Sequence, residues 1–349
     1  MKEKGLHPKN KFNKGYDFEK LILDNPILKD FVFKNSYENL SIDFSNPVAV
    51  KELNKGLLFS FDKISIWDFP DENLCPPIPG RLDYIHHLAD LLSSEKPIKI
   101  LDIGTGATCI YPLLGVASFD WKFVATDIDL DSLDTAQDII DDNNLDASIK
   151  LRQQFDENNI LKGVLEEEDS FSAVMCNPPF YKSAEEARGA NRRKTRNLGN
   201  NSVRNFAGNN NELWYVGGEK AFLHNYLYES SLFKDKSTWF TSLVSKKENV
   251  ESLEKSSKKL GATAFKVIPM HAQYLHTAES IWLIITFWLT QRQVRGKTDI
   301  GEGHFKEFIW NQLIPLLTKE GWMEFEAVIL PQLKFYLDES VSLDFRKFT

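Results

Sequence analysis

Cysteine is scarce in this chain, with three among 349 residues. Cys75, Cys109 and Cys176 lie far apart, with no CxxC pair and no Cys/His spacing suited to zinc. The pattern excludes a disulfide scaffold, gives no reason to expect a metal, and points to a reducing compartment. Long apolar runs are missing as well. The longest, Ile281 to Leu289, is too short to cross a bilayer as a helix. The opening Met-Lys-Glu-Lys-Gly is polar, so no secretory leader is expected and the cytoplasm is the default location. Neither an internal repeat nor a strong low-complexity tract is found. Nor is there an excess of positive charge: the net value is −8 at pH 7, which argues against a uniformly basic nucleic-acid binder.

A local basic path is still compatible with that balance. Residues 1–16 carry Lys2, Lys4, Lys9, Lys11 and Lys14 against the single Glu3. Residues 188–204 carry Arg188, Arg192, Arg193, Lys194, Arg196 and Arg204 with no acid among them. Either run alone reads equally as a solvated face or tail.

The order of elements points to an α/β fold. A helix interrupted at Pro26 is expected over 17–33, and Asn46-Pro47 reads as a cap and first-turn proline opening a helix to Phe59. A turn-rich connector from Trp67 to Arg81 then separates an N-terminal helical module, residues 1–80, from the main domain. Asp83 to Leu92 has helical spacing. Strands are expected at 98–103, 122–125, 149–151, 171–176 and 238–244, with helices at 107–117, 131–142, 219–233 and 250–260. Such alternation implies a mostly parallel sheet covered by helices on both faces. Strands at 265–268 and 281–287 would close a seven-stranded sheet as an antiparallel pair. The main domain is thus read as 81–290, with a long Arg-, Asn- and Gly-rich loop at 181–218. Residues 291–349 form an extension of unassigned role.

Leu101-Asp102-Ile103-Gly104-Thr105-Gly106-Ala107 stands where the first strand of the main domain turns toward its helix. Gly104 and Gly106 let the backbone approach a ligand at the carboxyl edge of the sheet. The next strand ends at Thr126-Asp127-Ile128-Asp129, placing Asp127 where a ribose-binding acid is expected, with Ile128 beside it. A dinucleotide fingerprint would need a third glycine or alanine, and Cys109 holds that position. No GKS/T motif offers a triphosphate site. An adenosine cofactor without phosphates fits better, and S-adenosylmethionine is the common one. Asp102 could reach its ammonium group; otherwise it is a strand-end cap.

Phe171 to Cys176 is an apolar run that stops at Asn177-Pro178-Pro179-Phe180. Proline cannot donate to a sheet ladder and biases its predecessor away from helix, so a stiff loop must follow. The Asn177 amide and the Pro178 carbonyl provide acceptors, and Phe180 provides a flat apolar face. Together they could grip a planar group bearing an exocyclic amine. Alone, the tetrapeptide reads equally as a strand-ending turn.

Asp102-Ile103-Gly104-Thr105-Gly106, Asp127 and Asn177-Pro178-Pro179-Phe180 resemble class I S-adenosylmethionine-dependent methyltransferases that modify exocyclic or amide nitrogens. Further stretches resemble, more closely, the bacterial 23S ribosomal RNA adenine-N6 methyltransferases and their eukaryotic relatives acting on small nuclear RNA. These are Leu6-His7-Pro8-Lys9-Asn10, Ile42-Asp43-Phe44, Leu74 through Arg81 with Asp83 through His87, and Cys109-Ile110-Tyr111-Pro112. Glu212-Leu213-Trp214, Gly217-Gly218-Glu219 and Trp239 through Lys246 complete the set, so the match runs from about residue 6 to 289. The resemblance implies methyl transfer to adenine N6 in large-subunit ribosomal RNA. It implies a cofactor pocket lined by Arg81, Gly104, Asp127 and Asn177. It also assigns RNA contacts to the N-terminal module, with Lys9 and Lys11, and to the basic loop, with Arg192, Arg193, Lys194 and Arg204. Lys246 and Lys247 would hold phosphates; otherwise they are a solvated pair at a strand end. Between Met270 and Trp282 the chain departs from the family pattern, with His271, Gln273, His276 and Glu279.

Two other readings are compatible with the same residues. One is the same fold acting on another amine, such as DNA adenine, ribosomal guanine N2 or a protein glutamine. The other is a catalytically silent RNA-binding scaffold.

Overall fold

The computed structural model describes residues 6–35, 37–92, 97–179, 181–183, 185–186 and 214–268. Within them, five strands form one parallel sheet. These are β3 (Lys99–Ile103), β4 (Lys122–Asp127), β5 (Ile149–Gln153), β6 (Phe171–Cys176) and β7 (Ser237–Phe240). Their order across the sheet is β5-β4-β3-β6-β7. The two central strands, β3 and β6, are buried on both faces, as a covered parallel sheet requires.

Strand alternation divides the core in two. Ile100, Phe123, Ala125, Ala173 and Met175 face the cluster containing α3 (Ile78–Leu91), α4 (Ile110–Phe119) and α5 (Leu130–Asp142). Leu101, Ile103, Val124, Val174 and Cys176 face the other, with Ile160, Leu161 and Phe222 and Tyr226 of α6 (Gly218–Leu232). α4 is apolar over its buried face and lies close on the sheet. A Cβ at Gly115 would come within 2.4 Å of the Phe123 ring, so only glycine allows that approach. On α6, Glu229 is buried, and its carboxylate accepts the backbone N–H groups of Ile160, Leu161 and Lys162.

The first seventy or so residues pack on the α3–α4 face. They hold α1 (Phe18–Asp24), a 3-10 turn at Pro26–Phe31 and an antiparallel hairpin of β1 (Val32–Lys34) and β2 (Leu40–Ile42). α2 (Pro47–Leu57) follows, opened by the Asn46 side chain accepting from Val48 and Ala49 N–H. Leu21, Leu28, Leu53, Leu57 and Leu58 belong to the same hydrophobic cluster as α3 and Ile100. Polar ties reinforce the join. Trp67 Nε1 donates to Thr108 O at 2.9 Å, and the Asn143 side chain binds the backbone of Ser65 and Ile66.

Several boundaries differ from the sequence reading. α3 begins at Ile78, inside the expected connector, because first-turn positions need no N–H partner and therefore accept Pro79. The β1–β2 hairpin replaces the end of the helix expected to 33; three-residue strands leave too short a pattern to see. α4 starts at Ile110 rather than 107, since Gly106 and Cys109 have positive φ. β7 ends at Phe240, although Thr241 and Leu243 N–H still bond to Val174 O and Cys176 O. α7 (Lys247–Lys259) begins earlier than expected. Residues 265–268, expected as a closing strand, show no strand pairing; their expected partner at 281–287 lies outside the described residues. Among the described residues no helix is long and apolar enough to cross a membrane.

Candidate active site

β3, β4 and β6 end at one edge of the sheet, and each end carries a residue singled out by sequence. The loop after β3 is fastened to the end of β4. Gly104 and Thr105 N–H both donate to Thr126 O at 2.9 Å. Gly106 N–H donates to Asp127 Oδ2 at 2.8 Å, and Asp129 N–H to Asp127 Oδ1 at 3.1 Å. The turn requires left-handed backbone at Gly104 (φ +72°) and Gly106 (φ +62°). A Cβ at Gly104 would meet nothing within 4 Å, so its glycine serves the backbone turn and leaves open space above it. Burial raises the Asp127 carboxyl above its usual range, against the backbone N–H groups that favour its charge. Ile128 stands beside it with exposed apolar surface.

Asp102 is 1% exposed, and neither of its carboxylate oxygens has a hydrogen-bond partner. Burial raises its carboxyl to about 7, with the Thr105 hydroxyl opposing and the charge of Asp127 adding. At the end of β6, Asn177 Oδ1 is also buried and without a partner. Buried polar groups are almost always satisfied, so two orphans on neighbouring strand ends point to a ligand. An unpaired buried carboxylate is matched by a cation, and an amide oxygen by an N–H donor. Asp102 is therefore not a strand-end cap, because its carboxylate accepts from no backbone N–H among the described residues.

Arg81 lies on the first turn of α3. Its Nη1 donates to Tyr111 Oη at 3.0 Å, and the guanidinium stands 5.6 Å from the Tyr111 ring centre. Tyr111 in turn meets Tyr84 edge-on at 5.6 Å. The Tyr84 hydroxyl is 2.8 Å from Thr241 Oγ1, and Tyr226 Oη donates to Thr241 O. Sequence reasoning missed this set of tyrosines, which sit inside motifs but carry no spacing signal of their own. It also missed the role of Glu219. That buried carboxylate accepts from Ser245 N–H and from the Asn249 side chain at 2.7 Å, fixing the loop between β7 and α7.

The expected RNA-binding residues have different surroundings. Lys9 is exposed and pairs with Asp90 at 3.2 Å. The Lys11 amine turns inward to Asp62 and Phe61 O, within the N-terminal module. Lys246 and Lys247 are exposed at the start of α7 and pair with no carboxylate among the described residues. Pro178 is buried and Pro179 partly so. Phe180, Arg192, Arg193, Lys194 and Arg204 lie outside the described residues, as do residues 291–349.

A parallel sheet with a glycine turn after its central strand, an acid closing the next strand and Asn-Pro-Pro ending the third defines a class I methyltransferase fold. A family model described as RNA methyltransferase matches residues 1–285. "Ribosomal RNA large subunit methyltransferase F" of Shewanella denitrificans is 44% identical over 313 residues, covering 84% of this chain and 86% of that protein. The protein of the same name from Flavobacterium johnsoniae is 48% identical over 280 residues, covering 76% and 89%. Among solved structures, the hMettl16 catalytic domain in complex with MAT2A 3′UTR hairpin 1 matches with TM-score 0.65 at 34% identity, covering 74% of this chain and 88% of that one. The N-terminal domain of human METTL16 in complex with SAH matches with TM-score 0.61 at 30% identity, covering 75% and 92%. The chain belongs to this RNA methyltransferase family.

Proposed function

We propose that this protein transfers a methyl group from S-adenosyl-L-methionine to the exocyclic N6 of an adenine in 23S ribosomal RNA. The observation that carries the reading is the buried, unpartnered Asn177 Oδ1 at the end of β6, one strand over from the equally unpartnered Asp102. The site fits the methyl donor. Asp102 supplies the anion for its ammonium group, Arg81 a cation for its carboxylate, Asp127 an acceptor for ribose hydroxyls and Ile128 apolar surface for the adenine. Gly104 and Gly106 leave the backbone room to approach. When bound, the cofactor supplies an electrophilic methyl carbon on sulfonium.

The chain's own residues prepare the nucleophile. An adenine amine is weakly nucleophilic because its lone pair is delocalised into the ring. Asn177 Oδ1 and the Pro178 carbonyl accept its two N–H bonds and draw the nitrogen toward tetrahedral geometry. That frees the lone pair and aims it at the methyl carbon; preorganised acceptors in a dry site act most strongly. Asn177 is no base, so the proton leaves by way of these carbonyls to water. Pro179 stiffens the loop, and Phe180 stacks on the base once it leaves its RNA context.

Lys246 and Lys247, with Lys9 and the loop residues Arg192, Arg193, Lys194 and Arg204, hold phosphates and set register. Lys11 acts through the N-terminal module it braces. A ribosomal substrate agrees with the cytoplasmic location expected from sequence.

The test is methyl transfer from labelled donor to deproteinised large-subunit RNA from a strain lacking the enzyme, followed by nucleoside analysis. N6-methyladenosine is expected with wild type. Asn177→Ala should lower the rate at least about a hundredfold, the scale of a lost preorganised polar contact. A different methylated nucleoside would overturn the substrate. Donor binding without transfer to RNA would favour a protein amide or a silent scaffold.

A further inference from the structure

We propose that Tyr111 is a positioning residue that aims the Arg81 guanidinium at the carboxylate on the amino-acid end of the methyl donor. The inference rests on the cofactor reading above and goes beyond it in assigning this role to a residue that does not itself touch the ligand.

Arg81 presents a charge without an anion. Its side-chain hydrogen bond among the described residues goes to a neutral phenol, Tyr111 Oη, at 3.0 Å. A guanidinium has five N–H donors in a fixed fork, so one bond to Tyr111 leaves donors to receive a carboxylate in bidentate fashion. The Tyr111 ring stands 5.6 Å from the guanidinium and limits its tilt. Hydrogen bond and ring together restrict a long, rotamer-rich side chain before any ligand arrives, which lowers the ordering cost of binding.

Tyr111 is itself held. It is 4% exposed, at the start of α4, with its ring edge-on to Tyr84 at an interplanar angle of 86°. Tyr84 binds Thr241, whose N–H and hydroxyl both bond to Val174 O in β6. The phenol is therefore referenced to the same strand that ends in Asn177. It is also close enough to Asp102 and Cys176 for their charges to act on it. Alternation along β3 puts Asp102 on the sheet face that carries Ile100, the face covered by α3 and α4. An anion, Asp102, and a cation, Arg81, thus border one region with Tyr111 nearby. That is the complement of a zwitterionic amino acid.

Tyr111→Phe keeps the ring and its contacts and removes only the acceptor. Calorimetry would use two probes: S-adenosylhomocysteine, which has the amino-acid end, and 5′-methylthioadenosine, which lacks it. Affinity for S-adenosylhomocysteine should fall about tenfold, the scale of a hydrogen bond to a charged group, while affinity for methylthioadenosine stays unchanged. In an Arg81→Ala background the same change should cause no further loss for S-adenosylhomocysteine. A purely structural role would weaken both ligands alike, and that result overturns the proposal. So does an unchanged affinity for S-adenosylhomocysteine. Wild type binding neither probe would instead refute the cofactor reading itself, and the inference with it.

Discussion

Asp102→Asn is expected to stabilise the ligand-free protein above neutral pH while weakening donor binding. Asp102 is 1% exposed with both oxygens unpartnered, and burial lifts its carboxyl from 3.8 to about 7. The folded value lies above the unfolded one. Below the unfolded value the group is protonated in both states and costs nothing. As pH rises through the folded value, the unfolded chain has already lost its proton and native stability declines. Roughly three units of displacement correspond to a loss on the order of 4 kcal/mol, complete by about pH 8. In a protein of this size that amounts to several degrees of melting temperature. Asparagine stays neutral throughout, so the stability gap between variant and wild type should open between about pH 4 and about pH 8. Urea unfolding at a series of pH values measures it. Saturating S-adenosylhomocysteine should then stabilise wild type more than the variant, because the ammonium has lost its anion. A gap that does not change with pH would refute the reasoning, since only the ionised group carries the cost.

Two further outcomes follow from the loop beside β7. Glu219→Ala strips the acceptor from Ser245 N–H and the Asn249 amide, and should cost about 2 kcal/mol in urea unfolding. Because that loop carries Lys246, steady-state kinetics should show KM for RNA rising with donor affinity retained. Lys246→Ala with Lys247→Ala should weaken RNA binding without changing the methylated nucleoside. Fluorescence titration across salt concentrations should give a log–log slope shallower by about one. An unchanged slope would remove both lysines from the RNA interface.

The parts of this fold that show in the sequence are those buried on two sides. Residues 98–103 and 171–176 are short apolar runs bounded by breakers, and both form strands within a residue or so of expectation. Glycines at 104 and 106 and the acid at 127 are legible because the turn demands those residue types at that spacing. The start of α3 is hidden because Pro76, Pro77 and Pro79 look like loop while first-turn positions tolerate proline. Tyr84, Tyr111, Tyr226 and Thr241 come together from four separate elements, and no local pattern marks residues that meet only in three dimensions. Lys11 shows the opposite error. A basic run reads as surface, yet this amine lies against Asp62 because the neighbouring Phe12 packs into the core.

The shared core between the first seventy or so residues and the sheet has a consequence for synthesis. Leu21, Leu28, Leu53 and Leu57 leave the ribosome first, but the cluster they complete includes Ile78, Ile100, Phe123 and Ala173. The nascent segment cannot bury its apolar face until the strands far downstream have emerged. It must wait in a loose state, or in the care of a chaperone, for most of translation. The same dependence makes the segment a poor cassette. Grafting it onto another methyltransferase would leave a greasy face without its mate, so new RNA preferences are expected to arise in surface lysines and loops rather than by exchange of the whole module.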